Sequence, residues 1–103
     1  MSKRRKKSKY KHAIVGKKKY YFYKIRWIDI TGDAGHKTEE EMKKLECCTL
    51  VSQGYIHNID RKKKTLTTFA SYDEKEPVFS DTNIFPLGCI LSKEKIKNWL
   101  IYG

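Results

Sequence analysis

The eleven residues Tyr20–Ile30, YYFYKIRWIDI, contain no glycine or proline and are dominated by aromatic and β-branched side chains. Such side chains suit a pleated, half-buried surface, so the run is predicted to be a strand and marks the chain as a β protein. One face would carry Tyr21, Tyr23, Ile25 and Trp27, the other Tyr20, Phe22, Lys24, Arg26, Ile28 and Ile30. The first is the better core face, because Lys24 and Arg26 seek water. A bulge near Ile28 would reconcile the apolar residues on both faces.

Shorter elements surround this strand. Ala13–Val15 reads as an edge strand before Gly16. Thr31–Lys37 holds two glycines and an Asp and reads as a loop. Thr38–Glu46 reads as a short helix, with Thr38 as its cap and Glu41 at the capping-box position. Its acidic first turn and Lys43 and Lys44 in its last turn suit the helix dipole, and Met42 and Leu45 are its apolar anchors. Cys47–Ile59 is a second strand, where Gly54 signals strong bending or a close backbone approach.

Asp60–Lys64 is a hairpin tip and Thr65–Tyr72 a third strand. Asp73–Pro77 is a charged loop, Val78–Asn83 is ambiguous, and Ile84–Leu91 contains a further strand with Pro86 near an edge. In Lys93–Ile101, the spacing of Ile96, Trp99 and Leu100 favours a terminal helical turn over a last strand. The expected fold is mainly β: a small, strongly bent antiparallel sheet or an SH3/Sm-like barrel with one short helix. At 103 residues there is room for one such domain, assigned to residues 20–103.

Charge divides the chain differently. Residues 1–19 hold ten of the 23 Lys and Arg and no Asp or Glu. The remaining 13 basic residues face all 12 acidic ones, so the body is near neutral. Residues 1–19 are therefore expected to be a flexible basic arm, held open by like-charge repulsion. Lys3, Arg4, Arg5, Lys6, Lys7, Lys9 and Lys11 would neutralise phosphates of a nucleic acid, and Lys17, Lys18 and Lys19 would continue the track to the body. Lys62, Lys63 and Lys64 at the hairpin tip offer a second contact. Tyr20 and Phe22, close to these lysines, are candidates for stacking on single-stranded bases. The plainer alternative makes these rings core residues and the arm a solubility device. KRRKK would also serve as a nuclear address in a eukaryotic setting. Membrane binding is disfavoured because the arm has few apolar residues to insert.

Chemistry beyond charge has little support. Cys47, Cys48 and Cys89 with His36 and His57 supply ligand types but no zinc spacing. A nucleophilic pair of Cys48 or Cys89 with His36 or His57 has no surrounding motif. Asp29 and Asp33 bracket Gly32, an arrangement that more often stabilises a turn than binds an ion. No cofactor and no enzymatic activity are expected. The odd cysteine count, the lack of a secretory signal and the absence of a bilayer-length apolar run favour a reducing, intracellular setting.

The segments WIDITGDAG (Trp27–Gly35), SQGYI (Ser52–Ile56), TLTTFASYD (Thr65–Asp73) and IFPLGCI (Ile84–Ile90) carry a resemblance. Through them the body resembles small proteins of tailed bacteriophages with SH3/Sm-like β-barrels. The resemblance implies a barrel, the cytoplasm of an infected bacterial host and, through the Sm-like analogy, a homo-oligomer. It implies no reaction and leaves the arm outside it. Two readings follow. The first is a non-enzymatic phage accessory protein that binds nucleic acid, RNA in preference, through its arm. The second is an oligomeric host-takeover or anti-defence protein that binds a host protein or sequesters a small anionic nucleotide.

Overall fold

The computed structural model describes residues 9–98. Its spine is the long aromatic strand, β2 (Lys18–Asp29), preceded by β1 (His12–Val15). The two form an antiparallel hairpin pairing His12 with Tyr21 and Val15 with Lys18. Gly16 and Lys17 close it, both with positive φ (56° and 72°), the turn geometry that matches the twist of paired strands. The chain from His12 onward is therefore part of the sheet, which moves the boundary of the expected arm. Ala13 and Val15 alternate onto one face and are buried against Tyr20, Tyr55 and Phe69, while Lys17, Lys18 and Lys19 stay in solvent. Burying these apolar side chains outweighs the repulsion of lysines that remain hydrated.

After β2 come α1 (Glu39–Lys43), β3 (Cys48–Asp60), β4 (Thr65–Phe69), β5 (Ser71–Tyr72), β6 (Phe79–Ser80) and β7 (Asn83–Pro86). A 3-10 turn at Leu87–Cys89 then leads to β8 (Ile90–Lys95). The main sheet runs β1-β2-β3-β4-β7, with β8 on β2, and every pairing is antiparallel. β5 and β6 form a separate two-stranded sheet. Among the described residues no pairing joins β7 to β8. The fold is thus a strongly bent, open antiparallel sheet rather than a closed barrel.

The bend lies in β3. Its first half pairs with β2 as far as Tyr55, and its second half pairs with β4, with an irregular register between Ile56 and Asn58. Gly54 permits this: a Cβ there would lie 3.2 Å from the Phe69 carbonyl oxygen and 3.3 Å from Thr68 Cβ. Because of the bend, β2 buries opposite faces along its length. Tyr20 and Phe22 join Ala13, Val15, Tyr55, Phe69 and Phe79 in one cluster. Tyr23, Ile25 and Trp27, from the other face, join Leu66, Phe85, Ile56 and Ile90 in a second. An irregularity near the expected bulge falls between Arg26 and Trp27, in the pairing with β8, but Ile25 and Trp27 on either side of it join the same cluster.

β1 and β8 share one edge of β2, end to end. Lys95 pairs with Tyr23, and a bridge between Tyr10 and Lys97 joins the two strands. At the junction Lys11 N–H donates to Ile96 C=O, Phe22 N–H to Lys11 C=O and Ile96 N–H to Phe22 C=O, each at 2.9 Å. Of the segment where a C-terminal helical turn was expected, Lys93–Lys95 is strand and Lys97 forms a bridge. The edge of β2 beyond Tyr21 would otherwise leave a row of amides and carbonyls unpaired, and β8 satisfies them. Trp99 and Leu100 lie outside the described residues.

The helix is shorter than expected but capped as its sequence requires. Thr38 Oγ1 accepts from Glu41 N–H (3.2 Å), and Glu41 Oε1 accepts from Thr38 N–H (2.9 Å). It buries nothing: Met42 and Leu45, the expected anchors, are exposed, as is every residue from Ile30 to Val51. No helix among the described residues is long and apolar enough to cross a membrane.

Candidate nucleic-acid interface

Residues paired directly across an antiparallel ladder share a face. The register therefore defines one composite surface where β1, β2 and β8 meet. β2 contributes Lys19, Tyr21 and Tyr23, β1 contributes His12 and Ile14, and β8 contributes Lys93 and Lys95, opposite Ile25 and Tyr23. The Tyr10–Lys97 bridge extends the same surface. Alternation along β8 sends its single carboxylate, Glu94, to the opposite face, where it meets Lys24 at 3.4 Å. Between Lys19 and Tyr23 the three strands contribute no carboxylate to this surface.

Lysines and rings interleave on it. Lys95 Nζ lies 4.3 Å from the Tyr21 ring centroid and 4.9 Å from that of Tyr10. Lys19 Nζ lies 5.8 Å from the Tyr21 centroid. The His12 ring meets Tyr21 edge-on at 5.9 Å, and its Nδ1 is 3.0 Å from the Tyr10 carbonyl oxygen. Each cation–π contact contributes about 0.5–1 kcal/mol at such exposure, enough to order a long side chain without removing its charge. Tyr10, His12 and Tyr21 are half-buried. Lys9 is exposed, and its C=O accepts from Asn98 N–H at 2.7 Å, so the basic N-terminal run enters the fold beside this surface.

The structure separates the residues singled out from sequence. Lys3, Arg4, Arg5, Lys6 and Lys7 lie outside the described residues. Lys11 lies over the Phe22 ring (4.1 Å) on the opposite side of the sheet, and Lys18 lies near Tyr20 (5.5 Å). Lys62, Lys63 and Lys64 are exposed in a different turn, where Asp60 Oδ1 accepts from the N–H groups of Lys62 (3.0 Å) and Lys63 (2.9 Å). Of the two rings singled out for base stacking, Tyr20 is buried and Phe22 lies on the face of β2 opposite the composite surface. Tyr20 is 7 % exposed, stacked on His57 at 5.4 Å and met edge-on by Phe69 and Phe79. Phe22 packs edge-on to Tyr55 beneath Lys11. The rings that meet lysines on the composite surface are Tyr10 and Tyr21. Sequence reasoning missed Lys93, Lys95 and Lys97. Reading KEKIK as strand would have placed all three on one face.

Other chemistry-bearing groups are engaged elsewhere. Asp33 Oδ1 accepts from Gly35 N–H (2.8 Å) and Oδ2 from Lys37 Nζ (2.7 Å), with Lys37 the larger cause of its lowered pKa. This is the turn-stabilising role. Cys47 and Cys48 are exposed, and Cys48 Sγ accepts from Thr31 Oγ1 at 3.4 Å. His57, far along β3 from Cys48, packs against Tyr20 and Phe79. Burial, and then the neighbouring Tyr72, push the Tyr55 hydroxyl pKa up. A cleft of about 580 Å³ lies in the exposed segment, lined by Thr31, Asp33, Lys37, Met42 and Leu45 among others. Comparison of the chain with protein-family models, with curated proteins and with solved structures finds no match.

Proposed function

We propose that this chain is a non-enzymatic accessory protein that binds nucleic acid, with RNA preferred. Contact is made by the basic N-terminal segment and by the lysine-rich surface it joins. The observation that carries this reading is the segregation of charge. A run of ten basic residues without an acidic one leads into a sheet surface whose lysines have no carboxylate among them. Lysines intended only for a solvated surface are usually mixed with acidic residues, as they are in the rest of this chain. The resemblance to tailed-phage proteins supplies the setting, the cytoplasm of an infected bacterium.

The test is the salt dependence of binding. Wild type is compared with a full-length variant carrying glutamine at Lys3, Arg4, Arg5, Lys6 and Lys7. Removing residues 1–19 outright would also remove Ala13 and Val15 from the core and confound the result. Each lost phosphate contact should reduce the log–log salt slope by about 0.7 on a single strand. Weak binding by both proteins, with the same slope, would overturn the reading.

A second reading is favoured by Ile30 (90 % exposed), Met42, Leu45 and Val51, apolar residues left in solvent. They suit an oligomeric or host-protein contact of a takeover or anti-defence protein better than a nucleic-acid surface. Sedimentation of the purified chain, alone and with host extract fractions, tests it. A monomer that binds only nucleic acid would dismiss it.

A further inference from the structure

Resting on the nucleic-acid reading, we propose that the bound polymer is single-stranded, runs along β8, and stacks bases on Tyr21 and Tyr10. Alternate residues of a strand lie about 6.6 Å apart on one face. Lys93 and Lys95 are two such residues, and Lys97, bridged to Tyr10, prolongs the row. That step is comparable to the separation of successive phosphates in an extended strand. The row therefore tracks a flexible single backbone.

The rings decide between single strand and duplex. Lysines alone would serve either, because phosphate contacts carry no information about the bases. In a duplex each base is covered above and below by its neighbours, so the rings beside Lys95 would be idle. An unpaired base can lie on them, and stacking of this kind is tolerant of sequence. The cation–π geometry supplies the means of exchange. Lys95 Nζ lies over both the Tyr21 and the Tyr10 ring, 4.3 and 4.9 Å from their centroids. A phosphate draws that ammonium away, and a base takes its place over the ring. Tyr20, one residue along β2, cannot substitute, because it is buried and stacked on His57.

The experiment uses the full chain with labelled oligouridine, oligodeoxyuridine and a mixed-sequence duplex of equal length. The chain should bind the two single strands more tightly than the duplex, and the ratio between them reports the sugar preference. Tyr21→Leu should weaken single-strand binding about tenfold, leave duplex binding unchanged and preserve the salt slope, while Tyr21→Phe should bind as wild type. Lys95→Gln should instead lower the slope by about 0.7. Ultraviolet cross-linking of oligouridine to the unmodified chain keeps the test independent of any folding defect, and adducts are expected on Tyr21 or Tyr10. Equal affinity for duplex and single strands, an unaltered Tyr21→Leu, or adducts confined to other residues would overturn this inference while leaving nucleic-acid binding intact. Failure of wild type to bind any of the three would overturn both.

Discussion

Single residues set the bend and the turns. Gly54 sits where β3 crosses onto β4, and an added methyl would press on the Phe69 carbonyl, which cannot move without breaking the β3–β4 ladder. Gly54→Ala should destabilise the protein by about 1–3 kcal/mol, as overpacking of a close contact does. Urea unfolding should show a lower midpoint at constant slope. The turns carry a different signal. Lys17 and Lys64 both adopt positive φ (72° and 59°), a conformation that glycine or asparagine adopts with less strain. Lys64→Asn should raise stability by up to about 1 kcal/mol, because asparagine adopts this conformation with less strain. Thermal unfolding of the variant beside wild type checks the sign.

At the level of elements, the sheet and the segment between β2 and β3 behave as separate units. The capping box of α1 is complete, yet the helix covers no core, so losing it should cost the sheet nothing. Its Glu41 carboxyl is held below the usual range by the Thr38 backbone N–H and then by its hydroxyl, and Asp73 by the N–H groups of Lys75 and Glu76. A lowered carboxylate pKa gives stabilisation that is full above the ordinary range and is lost as pH falls through the lowered value. On acidification the amides of Thr38, Lys75 and Glu76, which donate to these carboxylates, should therefore shift first, while those of Leu66 and Phe69 keep their protection. An NMR pH titration shows the order. Much of this was legible in sequence: the β2 run, the Thr38 cap, the Asp33 turn and the meaning of Gly54 all follow from local chemistry. The faces of β2 did not. Alternation assigns one core face to a flat strand, and only the bend in β3 reveals that Tyr20 and Ile25 are buried on opposite sides. The spacing of Ile96, Trp99 and Leu100 draws Lys93–Lys95 into a helical reading, whereas Lys93, Glu94 and Lys95 are strand. The deciding factor, an unsatisfied edge of β2, is a long-range property that no local window contains.

For the whole molecule, topology turns a diffuse charge excess into a surface. Separated by more than seventy residues in the chain, His12 and Lys95 come together because β1 and β8 meet end to end on β2. The basic run then enters at Lys9, beside Lys97 and Tyr10. The candidate interface is thus built from the two ends of the described chain. The exposed segment from Ile30 to Val51 belongs to none of it. The measurement that tests this account most directly is amide chemical-shift mapping of the full chain titrated with oligouridine. The account expects saturable shifts at Tyr10, His12, Tyr21 and Lys95, with the amides of Gly32–Cys47 unmoved. Shifts centred on that segment instead, or none at any oligouridine concentration, would contradict it.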